Sequence, residues 1–245
     1  MSALASEPSH SGFPATHWSV VLAAGESASP ESRAAVERLC RSYWYPLYAF
    51  VRRQGQTGED ARDLTQAFFE RFLEHHYLKD AVRGKGRFRT FLLIAFKRFL
   101  ADRRDHSAAA KRGGGISFVP WDTLDPEAQF HELLASTESP EAVFDRAWAE
   151  ATVQGSVGRL QAEYEAAGKG SRFHQLKGYL SRPADRASYT AAAQQLGLSA
   201  DAVAMAVVRL RRRYRALVRV AVADTVATPA EIDDEMRYLV QLLTG

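Results

Sequence analysis

Apolar side chains recur every three or four positions along most of this chain, and no useful stretch alternates with the two-residue period of a strand. The pattern predicts an all-α fold. Thr16 can cap a short helix with Trp18, Val21 and Leu22 as its apolar contacts. Ser29-Pro30-Glu31 supplies a cap, a first-turn proline and an early acid, and opens a long helix through Val36, Leu39, Cys40 and Tyr43. Pro46 should kink or restart it before Gly55. A third segment starts at Thr57 or Gly58 and runs through Leu64, Phe68, Phe72 and Leu73. A fourth, Thr90 to Asp105, mixes Phe91, Phe96 and Phe99 with basic residues. Ser139-Pro140-Glu141 repeats the start signal and leads into Phe144, Ala147, Trp148, Leu160 and Tyr164. Phe173, Leu176 and Leu180 mark a short helix.

Residues 188–219 then parse as two helices around a tight turn. Ser188 is the expected N-cap of the first, and Gly197 supplies the left-handed residue that ends it. Ser199 caps the second, with Asp201 in its first turn. Val203, Ala206, Val207, Leu210, Tyr214 and Leu217 line one face of that helix, and six arginines crowd its far half. This is the pattern of a helix-turn-helix, although an ordinary helical hairpin with a solvated basic face satisfies it too. Thr228-Pro229-Ala230-Glu231 is a capping box that opens a last helix, with an expected stripe of Ile232, Met236, Leu239, Val240 and Leu243. The punctuation divides the chain into helical domains at 16–112 and 139–222, a Gly- and Pro-containing linker at 113–138, and a helical extension at 228–245.

Charge changes the picture more than overall composition does. The 245 residues carry a formal net charge of only +3, but it is unevenly placed. Lys and Arg cluster at 83–112 and again at 209–219, with an acidic stretch between them. Segregated basic blocks in a nearly neutral chain suit a soluble nucleic-acid binder. Cys40 is the only cysteine, which excludes an intramolecular disulfide or a cysteine-rich zinc site. No apolar run approaches membrane-spanning length, and the N-terminus lacks the basic start and apolar core of a signal peptide. A cytoplasmic location is therefore expected. No phosphate-binding, zinc-protease or serine-nucleophile motif occurs. His75 and His76, adjacent on a helix, point in different directions and suit a solvated helix end better than a metal site. The chain is expected not to be an enzyme and to need no metal, cofactor or small-molecule substrate.

Three segments in order, DARDLTQAFFERFLE, GRFRTFLLIAFKRFLADRRD and YTAAAQQLGLSADAVAMAVVRLRRRYR, resemble bacterial RNA polymerase sigma factors of the extracytoplasmic-function group. The resemblance covers most of residues 16–220. It implies a region 2-like helical bundle and a region 4-like helix-turn-helix, with 228–245 as a C-terminal addition. It implies core RNA polymerase as a partner, through the β′ clamp helices and the β flap, with Asp60, Asp63, Gln66 and Glu70 on the docking face. Spacings of three and four put these side chains together on one side of a helix. It implies promoter DNA as the second partner and admits an anti-sigma factor as a third. The −10 element would be met by Arg87, Lys97, Arg98, Arg103, Arg104, Lys111 and Arg112. The −35 element would be met by Ser199, Ala200, Asp201, Ala204, Met205, Arg209, Arg211, Arg212 and Arg213. Most of the phenylalanines of the basic-aromatic helix must be core, since one helix cannot expose them all.

Two departures from the family pattern bear on DNA. The asparagine often found near Arg98 is absent. The basic or histidine side chains common near Ala204 and Val208 are absent as well, so base reading by bidentate hydrogen bonds is expected to be weak. The alternative reading is a helix-turn-helix transcription regulator whose N-terminal half senses a signal or dimerises.

Overall fold

Helix starts follow from local chemistry. The computed structural model describes residues 30–74, 87–106, 126, 127, 130, 137–182 and 186–245, with side chains from Cys40 onward except those of 73, 74 and 104–106. The Ser139 side chain accepts from the Ala142 N–H at 3.2 Å, and Ser199 accepts from Ala202 at 3.2 Å. Each satisfies a backbone donor that the first helical turn leaves open. At Thr228 the backbone N–H donates to the Glu231 carboxylate at 2.9 Å.

Eight α-helices have described bounds: α1 (Pro30–Arg53), α2 (Gly58–Glu74), α3 (Phe88–His106), α4 (Pro140–Ala166), α5 (Gly170–Leu176), α6 (Arg186–Leu196), α7 (Ala200–Ala223) and α8 (Ile232–Thr244). Short 3₁₀ turns at Lys177–Leu180 and Pro229–Glu231 complete the set. No strand occurs among the described residues, so the fold is all-α. The expected helix at Thr16–Leu22 and the stretch 107–125 of the linker region lie outside the described residues, as do His75 and His76.

Two expectations shift. α1 continues through Pro46 and does not restart there. The missing proline N–H removes one hydrogen bond, and burial of the flanking Tyr43, Leu47, Tyr48, Phe50 and Val51 offsets that loss. Ser188 is not an N-cap, because α6 begins two residues earlier at Arg186, whose carbonyl accepts the Thr190 hydroxyl at 3.0 Å.

The buried side chains form two cores. The first takes Tyr43 and Phe50 from α1, Phe68 and Phe72 from α2, and Phe88, Phe96 and Phe99 from α3. Some of its rings meet edge to face, as Phe68 and Phe96 do at 4.8 Å between centroids, and others stack, as Phe96 and Phe99 do. Each such burial is worth ~1.5–3 kcal/mol against exposure. The same core takes Val143, Phe144 and Trp148 from α4, Val218 and Val222 from α7, and Ile232 and Leu239 from α8. The second core joins Leu160 of α4 to Phe173, Leu176, Ala192, Ala193, Val203, Val207, Leu210 and Leu217.

α4 and α7 therefore contribute to both cores, and Tyr214 packs against each. The division of the chain expected at 139 does not coincide with the division of its buried side chains. The first half of α4 lies with the N-terminal helices, because its side chains find partners there; Phe144 lies 6.3 Å from Tyr43, and Trp148 lies 5.4 Å from the Arg89 guanidinium.

Candidate nucleic-acid interface

Gly197 adopts φ +63° and the Leu198 N–H closes back on the Ala193 carbonyl at 3.0 Å, which ends α6 sharply. Ser199 then restarts the chain as α7, at 100° to α6. That angle falls within the range of helix-turn-helix units. α7 buries Val203, Ala206, Val207 and Leu210 against α5 and α6. The opposite stripe, Asp201, Met205, Val208, Arg212, Arg215 and Arg219, steps by three or four residues and faces out. Met205 and Val208 are 54% and 56% exposed, the most exposed large apolar side chains among the described residues.

The arginines of α7 are not equivalent. Arg209, Arg212 and Arg215 are exposed and in no ion pair among the described residues. Arg211 is half-buried and donates to two carbonyls, Tyr179 at 2.8 Å and Arg182 at 2.7 Å, so it ties α7 to the turn before α6. Arg213 lies across α4 as a two-armed pair with Glu163, at 2.8 and 2.6 Å. That hydrogen bond holds the Glu163 carboxyl below its ordinary range and the Arg213 guanidinium above its own. Arg219 pairs with Asp233 at 2.5 Å. Ser199 spends its acceptor on the cap. Ala200 and Ala204 are half-buried, and Asp201 is exposed at the helix start.

On α3, Arg98 and Arg103 are exposed, Arg103 lying 5.5 Å from the Phe99 ring centroid. Lys97 is bound to Glu141 of α4 at 2.6 Å, which lowers the Glu141 pKa. The Arg104 side chain, Lys111 and Arg112 lie outside the described side chains. Phe88, Phe96 and Phe99 are core, and Phe91 is half-buried, as expected of an amphipathic helix.

Arg87 does not stand free at the head of α3. Its Nε lies 2.9 Å from Oε2 of Glu235, a carboxylate with 0% side-chain exposure. Oε1 of Glu235 accepts from Arg89 Nε at 2.7 Å. Arg89 also reaches Asp145 at 2.8 Å and lies 4.3 Å from the Tyr238 ring centroid, while the Tyr238 hydroxyl donates to Asp145 at 2.7 Å. Burial opposes the charge on Arg89, and the hydrogen bond and charge of Glu235, with Asp145, more than offset it, so the guanidinium pKa is raised. Burial, with Glu235 nearby, pushes the Tyr43 hydroxyl far above its ordinary value. The network joins α3, α4 and α8 beneath the surface.

The buried side of α8 carries Ile232, Glu235 and Leu239, with Leu242 half-buried, whereas Val240 and Leu243 face out. The expected stripe is therefore rotated, because Glu235 turns inward to meet two arginines.

On α2, Asp60, Asp63, Gln66 and Glu70 share one side. Asp60 accepts the Thr57 hydroxyl at 2.7 Å within the helix start. Gln66 donates to Glu70 at 3.2 Å, and Asp63 is exposed. The arrangement leaves an acid-amide strip on the side of α2 away from buried Phe68 and Phe72.

Sequence reasoning missed Arg89, Asp145, Glu235 and Tyr238 as a group, and it left Val208, Arg215 and Arg219 of the outer stripe of α7 out of the expected DNA contacts. Only these three had a local signal, their register with Asp201, Met205 and Arg212. No group of metal-ligating side chains occurs among the described residues, and no single described helix is long and apolar enough to cross a membrane. No protein-family model matches the chain, and no curated protein or solved structure matches it.

Proposed function

We propose that this chain is a sigma factor, which binds core RNA polymerase and directs it to promoters. The observation that carries the reading is the helix pair α6–α7, turned by 100°, with Arg209, Arg212 and Arg215 exposed and in no ion pair among the described residues. A cationic helix face projecting from a small apolar core is suited to the DNA backbone and groove. The acid-amide strip of α2 supports the polymerase half of the reading, since it offers charge complementarity to a basic helical partner. In this reading residues 16–112, with α1–α3, form the region 2-like bundle and residues 139–222, with α4–α7, the region 4-like unit. The protein itself catalyses nothing and works in the cytoplasm.

One observation favours a second reading, a helix-turn-helix regulator. α4 and α7 each feed both cores, so the DNA-facing unit is packed onto the N-terminal helices. A regulator can work in that closed arrangement, whereas a sigma factor must span two separated promoter elements. Run-off transcription with purified core polymerase on a library of random promoters separates the two. A sigma factor yields discrete transcripts that depend on the added chain, and the Asp63→Ala/Gln66→Ala variant weakens them. A regulator binds duplex DNA and yields none.

A further inference from the structure

We infer that Met205 and Val208 read thymine methyl groups in the major groove, making this chain selective for duplex DNA by apolar contact. The inference rests on the DNA-binding reading above. Both side chains lie on the outer stripe of α7, in its N-terminal half, and are more than half exposed. Two large apolar groups exposed one turn apart on one helix face offer a small apolar contact surface.

Charge identifies the partner. The same stripe continues as Arg212 and Arg215, with Arg209 at its edge, and none of these three is in an ion pair among the described residues. A partner that meets this stripe offers apolar contact to its N-terminal half and negative charge to the arginines that follow. The major groove fits, because the thymine C5-methyl is its one apolar group and phosphates border it. Asp201, at the head of the stripe, supports this register. A carboxylate would be repelled by phosphate, but at a base edge it can accept from the cytosine N4 amine. The shortage of bidentate hydrogen-bonding side chains then implies readout of another kind: shape and methyl contact replace hydrogen bonds.

The test uses the full chain with core polymerase and duplexes selected from a random library. In the selected duplex each thymine is replaced in turn by deoxyuridine, which removes one methyl and leaves pairing intact. The expected result is a loss of about four-fold in affinity at one or two positions, the scale of one buried methyl, and little elsewhere. Met205→Ala and Val208→Ala, at exposed positions, should each abolish the sensitivity at one of those positions while leaving the salt dependence unchanged. If selected duplexes bind with sequence preference but uracil substitution has no effect anywhere, the inference is overturned and the DNA-binding reading stands. Uracil sensitivity that survives both substitutions also overturns it. Failure to bind any duplex, with or without polymerase, removes both readings, and the apolar pair then belongs to a protein partner.

Discussion

Arg87 and Arg89 at the head of α3 carry the same charge as Arg209, Arg212 and Arg215 on α7, yet their surroundings differ in every respect. The first pair is turned inward onto Glu235, with Asp145 and two aromatic rings completing the enclosure. The second set projects from the protein with no ion pair among the described residues. A basic residue at the edge of a predicted DNA-binding helix is thus not an interface residue by virtue of its type. What decides is whether the fold already supplies its counter-charge. By that criterion Arg87, Lys97 and Arg213 are engaged within the protein, and Arg98, Arg103, Arg209 and Arg212 are available to a partner.

The contrast can be broken most strongly from its buried side. Glu235→Ala leaves buried Arg89 and half-buried Arg87 without their shared carboxylate. The expected loss is ~3–5 kcal/mol of stability, the scale for removing one member of a buried pair, measured as a shift in the urea midpoint. Arg89→Ala should cost a similar amount, and the double variant less than the sum of the two, since both changes dismantle one network.

High pH tests the same interior by another route. The Tyr43 pKa is raised in the fold, so the neutral phenol is favoured there, and its contribution is complete below the unfolded value of 10.0. As pH rises past that value the unfolded chain loses its proton first, and stability falls by ~1.4 kcal/mol per pH unit from this one group. Tyr43→Phe should remove that increment from the slope of unfolding free energy against pH, over the unit of pH just above the unfolded value of 10.0.

Adjacent arginines of α7 sharpen the comparison. Arg211→Ala removes two charge-assisted bonds to carbonyls and should lower stability by ~1–3 kcal/mol. Arg212→Ala with Arg215→Ala should change stability by no more than ~0.5 kcal/mol per site. The double variant should instead flatten the salt dependence of DNA binding, reducing its log–log slope by ~0.9 for each phosphate that is no longer neutralised. If Arg211→Ala proved silent in unfolding, the assignment of these roles would be reversed.

The smallest effect belongs to the surface pairs. The carboxyl pKa values of Glu163 and Glu141 are depressed by Arg213 and Lys97, so their contribution is full above the unfolded value of 4.5 and disappears as pH falls through the lower folded values. Both pairs are largely solvated, so under ~1 kcal/mol each is expected. Glu163→Gln should leave the acid limb of an unfolding-versus-pH curve almost unchanged.

Local signals made much of the fold legible. Ser139, Ser199 and Gly197 fulfil the roles that their neighbours predict, because caps and left-handed turns depend on residues three or four apart. The apolar periods of α2, α3 and the buried face of α7 are equally short-ranged. Glu235 was illegible for the opposite reason. Its partner Arg89 is 146 residues away, and an acid in the first turn of a helix reads as a solvated cap. The rotation of α8 follows from that one pairing, and so does the misplacement of Val240 and Leu243. The sharing of α4 between two cores was hidden too. A continuous helical stripe says that a helix buries one face, but not that two different neighbours cover it in succession. Of the candidate site, Asp201, Met205 and Arg212 of the outward stripe of α7 were read as contacts, and Val208, Arg215 and Arg219 were not. Which arginines are already occupied was not readable, because that depends on Tyr179, Glu163 and Asp233 across the fold.

α4 has a mechanical consequence of its own. Val153 still packs on the first core and Val157 already packs on the second, so the rod passes between them at Gly155. Gly155 and Gly158 sit at this crossing with open space around them, and each weakens a helix by ~1 kcal/mol relative to alanine. The hydroxyls of Thr152 and Ser156 bond back to the carbonyls four residues earlier, an arrangement that bends helices. The strut that joins α5–α7 to the rest of the molecule is therefore weakest in helix propensity near its midpoint, between the two cores rather than within either.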